Sequence, residues 1–488
     1  MKSEIKGLIL TSVIYGIGDI LLKAFNFFLL PIYTRLLNPS DYGILAVTGF
    51  LSFIMSIFMS LSLHSFLTPL YFSTGNHQER RENIGSLFLL SILVGGVIAL
   101  SIDQVARPFF SLVIRDVPFD PYIRLTIWTS YLSTWSRIPL LLLRVRERSF
   151  AYVLITLSSS LLQTVLSIWF VVYLKRGIEG LLIANLIATS VTSVICLISV
   201  SSNMILSLKV KIWKHALIFS LPLIPHELSG WILELSDRAI LQWYVSLDQV
   251  GIYSLAYSYG SLITLIGYAM NMAWVPFLHK TDSIEGERAS ERFSYMATYF
   301  TVTLCFFGLF LGLAAKPVIS LITTALFHDA GGIAPLIVAA LLLSNIYYFP
   351  VNFIFLRRKT TKVAFATVVS SFTNIILNLW LIPVHGVIAA AWTTFISYGV
   401  MTLLTWYFSL KVYPIFYQYR RLMVVFLISA FLWVIGVVYP WNSFWFEIMG
   451  KLVLLAAFPA LLIIFGFFTE KEKSYLRLAL RSYPIFQR

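Results

Sequence analysis

Residues 159–171 read SSLLQTVLSIWFV, and residues 370–382 read SSFTNIILNLWLI. Both segments begin with Ser-Ser, carry a tryptophan at the same place, follow a basic loop and precede a glycine-containing turn. Because an apolar segment that recurs together with its flanking loops marks an internal repeat, the chain is expected to contain two copies of one structural unit. Internal repeats of this kind are typical of membrane transporters.

The repeat extends toward the N-terminus of each copy. SDYGILAV at residues 40–47 matches DQVGIYSL at residues 248–255, which aligns Gly43 with Gly251. The two copies are offset by roughly 210 residues, a distance that contains an even number of spans. We therefore expect two parallel lobes related by an axis along the membrane normal, with a cleft between them.

The composition places the whole chain in a membrane, because 59% of its residues are hydrophobic and only 12% are charged. Apolar stretches of sufficient length predict about fourteen membrane-spanning helices. The predicted fold class is an all-α integral membrane protein with two six-helix lobes in pseudo-twofold repeat and two C-terminal helices. The expected divisions are residues 1–206 for spans 1–6, residues 207–412 for spans 7–12, and residues 413–488 for spans 13 and 14 and a basic tail.

The net charge of +14 is explained by topology. Most lysines and arginines lie in alternate connections and at both termini, and the positive-inside rule assigns such segments to the cytoplasm. A multi-pass protein of the cytoplasmic membrane with both termini inside is therefore expected, and nucleic acid is not an expected partner.

The sequence contains no sign of an enzyme. The loops are too short to form a soluble catalytic domain, and GIGDIL at residues 16–21 lacks the third glycine of a dinucleotide fingerprint and lies within a span. No GxxxxGK[ST] loop is present. Cys196 and Cys305 lie in apolar runs, where thiols behave as small hydrophobes. We expect no catalytic residues, cofactor or resident metal.

Four predicted spans carry a polar face, and such faces line cavities rather than face lipid. Candidate substrate-binding residues on these faces are Asp19, Lys23 and Asn26 in span 1, Arg137 in span 4, Trp231 and Arg238 in span 7, and Asn374 and Asn378 in span 11. Candidate ion-coupling residues, all in span 7, are Glu227, Glu234 and Asp237. These faces are the predicted walls of the cleft.

Several of these residues also have a structural interpretation. Glu234 and Arg238, spaced i, i+4, form either a structural ion pair or a substrate contact. Asn374 and Asn378 are equally consistent with hydrogen bonds between helices. Glu227 has Trp231 rather than a cation at i+4, which makes it the preferred residue for reversible protonation.

Two long segments carry a family resemblance. LKAFNFFLLPIYTRLLNPSDYGILAV at residues 22–47 and FSLPLIPHELSGWILELSDRAILQWYVSLDQVGIYSLAY at residues 219–257 resemble the signature regions of polysaccharide-transporter flippases. These flippases form the Wzx-like branch of the MOP superfamily, whose fold is MATE-like. The SDR of residues 236–238 followed by VGIYS is the most specific part of the match.

The resemblance implies a substrate and its partners. The expected substrate is an oligosaccharide carried on a polyprenyl diphosphate, such as an O-antigen or capsule unit, moved from the cytoplasmic to the outer leaflet by alternating access. Lys23 corresponds in place to the first-span basic residues that hold the diphosphate in lipid II flippases. Membrane lipid, H+ or Na+ as coupling ion, and the polysaccharide polymerase and glycosyltransferases of the same pathway are the other implied partners.

Two alternatives remain open at the level of sequence. The predicted cleft carries more carboxylates than cations, which favours a MATE-type exporter of organic cations. A membrane glycosyltransferase or polymerase is the enzymatic alternative, and the short loops argue against it.

Overall fold

The structure is a computed structural model, and it describes residues 18, 29–105, 107–108, 110, 114, 116–441, 443–470 and 472, without the side chains of His226 and Glu287. All regular structure in this part of the chain is helical, which confirms the predicted all-α class. By the density of internal contacts the chain divides into two compact units. The lobe boundaries expected after residues 206 and 412 stay a prediction.

The first unit comprises residues 1–258, 322–329 and 367–397. Its described helices are α1 (Pro39–Ser60), α2 (Leu67–Ser73), α3 (His77–Val105), α4 (Arg124–Val145), α5 (Ser149–Ile168), α6 (Gly177–Val200), α7 (Val210–Ser220), α8 (Ile224–Tyr244) and most of α9 (Leu247–Gly260). A cluster of buried apolar side chains that includes Leu67, Leu87 and Leu142 holds part of this unit together.

The second unit comprises residues 259–321, 330–366 and 398–488. Its described helices are α10 (Leu262–Glu285), α11 (Ser290–Ile322), α12 (Ala330–Ile346), α13 (Tyr348–Leu356), the two ends of α14 (Thr360–Val412), α15 (Tyr419–Val438) and α16 (Phe444–Ile464). An aromatic cluster is at its centre, where Trp274 stacks on Phe349 with ring centroids 4.3 Å apart.

The described helices are consistent with the fourteen predicted spans. In the described part of the chain, ten helical segments are long and apolar enough to cross a membrane; one of them joins α9 with α10 and another joins α12 with α13. The bent pair α7 and α8, counted as one span, raises the number to eleven. The 53-residue α14 contains Gly386 at φ 58°, a conformation that glycine adopts freely, and this residue divides the helix into two. Gly386 is the glycine expected after the repeated segment of residues 370–382.

Two helices of the first unit are interrupted where they approach each other. After α1, Leu61 and Ser62 adopt φ values of 44° and 53°, which cost non-glycine residues about 1–3 kcal/mol each. A short 3-10 helix, Leu221–Leu223, follows α7, and the segment that ends at Leu223 lies at 45° to Glu227–Tyr244 of α8. The ring centroids of Phe66 and Phe219, beside the two breaks, are 5.5 Å apart.

The second pair of repeated segments begins two helices with the same type of cap. Asn38 Oδ1 accepts a hydrogen bond from the Asp41 amide at 2.8 Å, and Ser246 Oγ accepts one from the Gln249 amide at 3.4 Å. Asn38 and Ser246 precede α1 and α9, respectively. Both side chains occupy the place where Asn and Ser stabilise a helix start.

These two helix starts pack against each other through their glycines. A Cβ atom on Gly43 would lie 2.1 Å from the Leu247 carbonyl oxygen, and one on Gly251 would lie 1.9 Å from the Pro39 carbonyl oxygen. The same sequence offset separates Gly43 from Gly251 and Pro39 from Leu247. The contact is therefore reciprocal, as in an interface about a twofold axis.

The tail contact is made by Glu472, which follows α16 and bonds to α15 and α11 within the second unit. Both carboxylate oxygens of Glu472 lie 3.0 Å from Nη2 of Arg421, and the Tyr299 hydroxyl donates to Oε1 at 2.6 Å. Burial by itself raises the pKa of Glu472, but these hydrogen bonds, that from the Thr469 amide and the charge of Arg421 together lower it.

We expect this contact to make stability depend on pH in the acid range. Because the pKa is lowered in the folded state, the contribution is complete above the ordinary value of 4.5 and is lost as the pH falls through the lowered value. Glu472→Gln should lower the free energy of unfolding at pH 7 by about 1 kcal/mol, since a partly accessible ion pair contributes little more. Thermal unfolding of purified protein from pH 3 to 8 measures this difference.

The control variant is Glu291→Gln, which removes an exposed carboxylate from α11. It should unfold like the wild type throughout. A Glu472→Gln curve that runs parallel to the wild type at every pH would show that the tail contact contributes nothing.

Candidate functional site

The span 1 candidates Asp19, Lys23 and Asn26 lie outside the described residues. The other eight predicted site residues are described, and all belong to the first unit. Five of them lie on α8, which therefore organises the described part of the site.

Helix α8 separates its charged residues onto two faces. Asp237 and Arg238 are buried, with 3% and 5% of their surfaces exposed. Glu227 and Trp231 are half-buried, and Glu234 is exposed. Residues at i, i+4 and i+7 share one side of a helix, so Glu227, Trp231 and Glu234 form an accessible face. An exposed carboxylate in the middle of a span is tolerated only beside water.

Arg238 is held in a closed cluster with the adjacent carboxylate. Its Nη1 lies 2.8 Å from Asp237 Oδ1, and the guanidinium stacks 3.9 Å from the Tyr257 ring centroid and 5.4 Å from that of Tyr253. The Tyr253 hydroxyl donates to Asp237 Oδ2. The cluster thus satisfies its own charges, as a buried ion pair requires.

In this structure Arg238 contacts the backbone of Glu234 and not its carboxylate, so the side-chain ion pair considered above is not observed. Arg238 donates to the backbone oxygen of Glu234 at 2.5 Å, while the Glu234 carboxylate is exposed. The guanidinium lies toward α9, because the ring faces of Tyr253 and Tyr257 attract its positive charge.

Asn374 joins α14 to α8, and Asn378 joins the two halves of α14 on either side of Gly386. Ser236 Oγ donates to Asn374 Oδ1 at 3.0 Å, and Asn378 Nδ2 donates to the same oxygen at 2.9 Å. Asn378 Oδ1 in turn accepts from the Thr393 hydroxyl. Both asparagines are almost fully buried, so in this conformation they hold helices together.

Trp231 fixes the accessible face of α8 to α1. Its indole nitrogen donates to the Phe50 carbonyl oxygen at 3.3 Å, and the Phe50 and Trp231 ring centroids are 6.5 Å apart. The tryptophan retains partial exposure, which leaves an aromatic surface available at this place.

Arg137 on α4 binds the end of α1 next to its break. Nη2 donates to Ser56 Oγ at 2.8 Å, and Nη1 donates to Ser60 Oγ at 3.2 Å. No carboxylate of the described residues lies within 4.0 Å of this guanidinium. Arg137 is thus a fixed cation bonded to neutral hydroxyls.

Glu227 has a partner that no helical spacing predicts. Its Oε1 lies 4.0 Å from Nε2 of His64, which follows the break after α1. The side chains are 26% and 27% exposed, respectively, so both remain partly accessible. Sequence reasoning missed His64 because the contact joins residues from distant parts of the chain. Tyr253 and Tyr257 were missed too, although their i, i+4 spacing on α9 is a usable signal.

Two cavities adjoin this region. One of about 280 Å³ lies between α1, α4 and α6 and is lined by hydroxyl groups that include Ser56, the partner of Arg137. A second of about 660 Å³ is lined by Phe66, Phe219 and His215. In the described ranges no cluster of His, Cys, Asp or Glu is placed to bind a metal ion.

The sequence pattern of one protein family, described as polysaccharide biosynthesis protein, matches residues 32–330. The chain belongs to this family. The match includes α1, α4, α8 and α9, and therefore the repeat contact and six of the eight described site residues; Asn374 and Asn378 on α14 lie beyond it. No curated protein gives a significant match.

Solved structures define the fold of this family member. A structure entitled lipid II flippase MurJ, inward closed conformation, matches with a TM-score of 0.68 at 16% identity, over 93% of this chain and 97% of the other. An inward-facing multidrug resistance MATE transporter of the MOP superfamily matches with a TM-score of 0.65 at 14% identity, over 82% and 97%. A mutant of the Vibrio cholerae MATE transporter VcmN gives 0.57 at 15% identity, over 84% and 97%.

These matches confirm the predicted MOP-type membrane fold. The chain thus combines membership of the polysaccharide biosynthesis family with a multi-span membrane fold that is shared with flippases and transporters.

Proposed function

We propose that the protein is a flippase that moves a polyprenyl-diphosphate-linked oligosaccharide from the cytoplasmic to the outer leaflet by alternating access. The observation that carries this proposal is the combination of a polysaccharide biosynthesis family with a fold that matches a lipid II flippase over 93% of the chain. A flippase needs two lobes that open alternately, and the reciprocal contact of Gly43 with Gly251 supports such a pair.

The proposed substrate contacts follow from accessibility. Arg137 and Lys23 supply cations for the diphosphate, and Trp231 offers an aromatic surface for a sugar ring. Asp19 and Asn26 remain proposed contacts on span 1. The buried residues Asp237, Arg238, Asn374 and Asn378 are assigned the role of holding α8 against α9 and α14.

We propose that the lipid chain of the substrate binds in an apolar cavity of the second unit. A cavity of about 240 Å³ lies between α11 and α16, lined by apolar side chains and Lys451. Lys451 pairs with Glu447 at 2.5 Å, so its charge is compensated within the wall. Such a surface suits an isoprenoid chain in contact with membrane lipid.

The proposed setting is the cytoplasmic membrane, with both termini and the basic loops in the cytoplasm. H+ or Na+ is the proposed coupling ion, through Glu227 and Glu234. The polymerase and glycosyltransferases of the same polysaccharide pathway are the proposed partners.

The first test is complementation of a flippase-deficient strain whose own glycan matches that of the source cells. Wild-type protein should restore surface glycan. Lys23→Ala should abolish restoration at normal protein level, whereas Lys23→Arg should retain much of it, because both cations bind phosphate. Immunoblots of surface glycan and of the protein measure both quantities.

The double variant Asp19→Asn with Lys23→Ala separates a substrate contact from a structural ion pair. A structural pair predicts recovery when both charges are removed. Recovery, or normal glycan export by Lys23→Ala alone, would exclude Lys23 from substrate binding.

A MATE-type exporter of organic cations is the second candidate, favoured by the exposed carboxylate of Glu234. It predicts that expression raises resistance to cationic dyes and that Glu234→Gln removes this resistance. The flippase proposal predicts unchanged resistance in both strains.

A further inference from the structure

Buried polar atoms without partners gather where the two interrupted helices meet. Among the described residues, Ser62 Oγ, His64 Nδ1 and Ser220 Oγ are buried and have no hydrogen-bond partner. Ser62 and His64 lie in the break after α1, and Ser220 ends α7 at the other break. Because buried polar atoms are nearly always paired, this junction is suited to a guest that supplies hydrogen bonds.

The charges at the junction favour an anionic guest. Arg137 and Glu227 both interact electrostatically with His64. With a neutral imidazole the positive charge of Arg137 and the negative charge of Glu227 cancel. Protonation of His64 leaves one positive charge in excess, and this charge lies in a region where it is costly unless compensated.

The charged groups described next, on the adjacent helices α3, α7 and α8, either have other partners or lie away from His64. On α3, Arg80 donates to the Thr74 carbonyl oxygen and Glu82 pairs with Lys209. On α7, Lys211, Lys214 and His215 are exposed, and His215 lines the larger cavity. On α8, Glu234 lies two turns beyond Glu227, and the charged residues of span 1 lie outside the described residues.

We propose that Arg137 and His64 bind a phosphate-class polyanion at this junction, and that its binding is linked to uptake of one proton by the His64–Glu227 pair. The inference rests on the proposed flippase function, for which it names the head-group site and the coupling ion. The polyanion is either the diphosphate of a lipid or a free phosphate compound, because both present the same oxygens.

The linkage follows from charge balance. A polyanion beside Arg137 also approaches the Glu227 carboxylate, which repels it. A proton that is taken up from water by His64 or Glu227 removes this repulsion. Binding of the proton and binding of the polyanion therefore favour each other. Leu61 and Ser62 adopt the αL conformation in the break at an energetic cost, a pattern common at ligand sites.

The test is calorimetric titration of the full-length protein in lipid nanodiscs with inorganic pyrophosphate and, separately, farnesyl diphosphate. Titrations in two buffers of different ionisation enthalpy give the number of protons taken up. We expect uptake approaching one proton per bound diphosphate near neutral pH. Equal affinities would assign a free phosphate compound, and much tighter binding of farnesyl diphosphate, with farnesol as the neutral control, would assign a lipid.

The variants give distinct expected results. Arg137→Ala should weaken binding about tenfold or more, because a charge-assisted contact is lost. His64→Gln should reduce proton uptake, because only Glu227 remains to accept the proton, and should weaken binding. Glu227→Gln should abolish proton uptake while binding stays equal or becomes tighter, since the repelling charge is gone. His385→Gln, an exposed histidine on α14, is the matched control and should behave as the wild type.

Binding without net proton uptake, or unchanged uptake in both His64→Gln and Glu227→Gln, would overturn the inference. Absence of binding for both diphosphates would do the same. These outcomes leave complementation by wild-type protein as an independent result, so a failure of this site is distinguishable from a failure of the flippase proposal.

Discussion

Gly43→Ala is expected to abolish glycan export while the protein still folds and reaches the membrane. The added Cβ atom would lie 2.1 Å from the Leu247 carbonyl oxygen, so α1 and α9 cannot approach as they do in this structure. The contact is reciprocal, and Gly251→Ala should therefore have the same effect through the Pro39 carbonyl oxygen. By the predicted topology both helix starts are at the outer side, where we expect their contact to close the predicted cleft.

The physical reason is that alternating access requires the cleft to close on each side of the membrane in turn. A protein in which one side cannot close therefore cannot complete the cycle. Overpacking of this kind costs about 1–3 kcal/mol or more, and each 1.4 kcal/mol shifts a conformational equilibrium tenfold. We expect the population to move toward the outward-open state by about tenfold or more.

Labelling of Val250→Cys with a membrane-impermeant maleimide measures this shift, because Val250 is fully buried beside the contact. The native cysteines, Cys196 and Cys305, are buried and should not react. Labelling should be faster when Gly43→Ala is added and unchanged when Gly49→Ala is added, since a Cβ on Gly49 meets no atom within 4 Å. Normal export by Gly43→Ala and Gly251→Ala, or loss of the folded protein, would refute a gating contact.

Arg238→Ala should produce the largest loss of stability among the site variants. It leaves the Asp237 carboxylate buried without its cation, a change that typically costs about 3–5 kcal/mol. It also removes the guanidinium that stacks on Tyr257. Thermal unfolding in nanodiscs, together with the amount of protein in the membrane, measures the effect.

Two further variants separate a structural role from a substrate role. Asp237→Asn with Arg238→Leu removes both charges and should recover much of the lost stability, because the desolvation penalty disappears as well. Glu234→Gln, an exposed change on the same helix, should alter stability by less than about 0.5 kcal/mol. A stable Arg238→Ala protein that fails to export glycan would instead place Arg238 in contact with substrate.

The fold was largely predictable because hydrophobic length and repeated segments are properties of the chain itself. The alignment of Gly43 with Gly251 predicted two equivalent positions, and the structure places them in one reciprocal contact. The equivalent caps Asn38 and Ser246 could also have been read from the aligned segments.

The pairing of the site residues was less predictable because it depends on tertiary contacts. The sequence around Leu61 and Ser62 does not predict a helix break, since it contains neither glycine nor proline. The break brings His64 to Glu227, and helical spacing on α8 alone gives no sign of it. Helical spacing also allowed Arg238 to pair with Glu234, whereas Tyr253 and Tyr257 on α9 draw the guanidinium away.

The most direct test of the flippase account is lipid translocation by the purified protein in liposomes. Polyprenyl-diphosphate-linked oligosaccharide from the source cells is incorporated, and a membrane-impermeant oxidant reports how much glycan the outer leaflet exposes over time. The account predicts that protected glycan becomes accessible only in liposomes that contain the wild-type protein, and that Gly43→Ala liposomes resemble protein-free ones. Equal protection in wild-type and protein-free liposomes would contradict it.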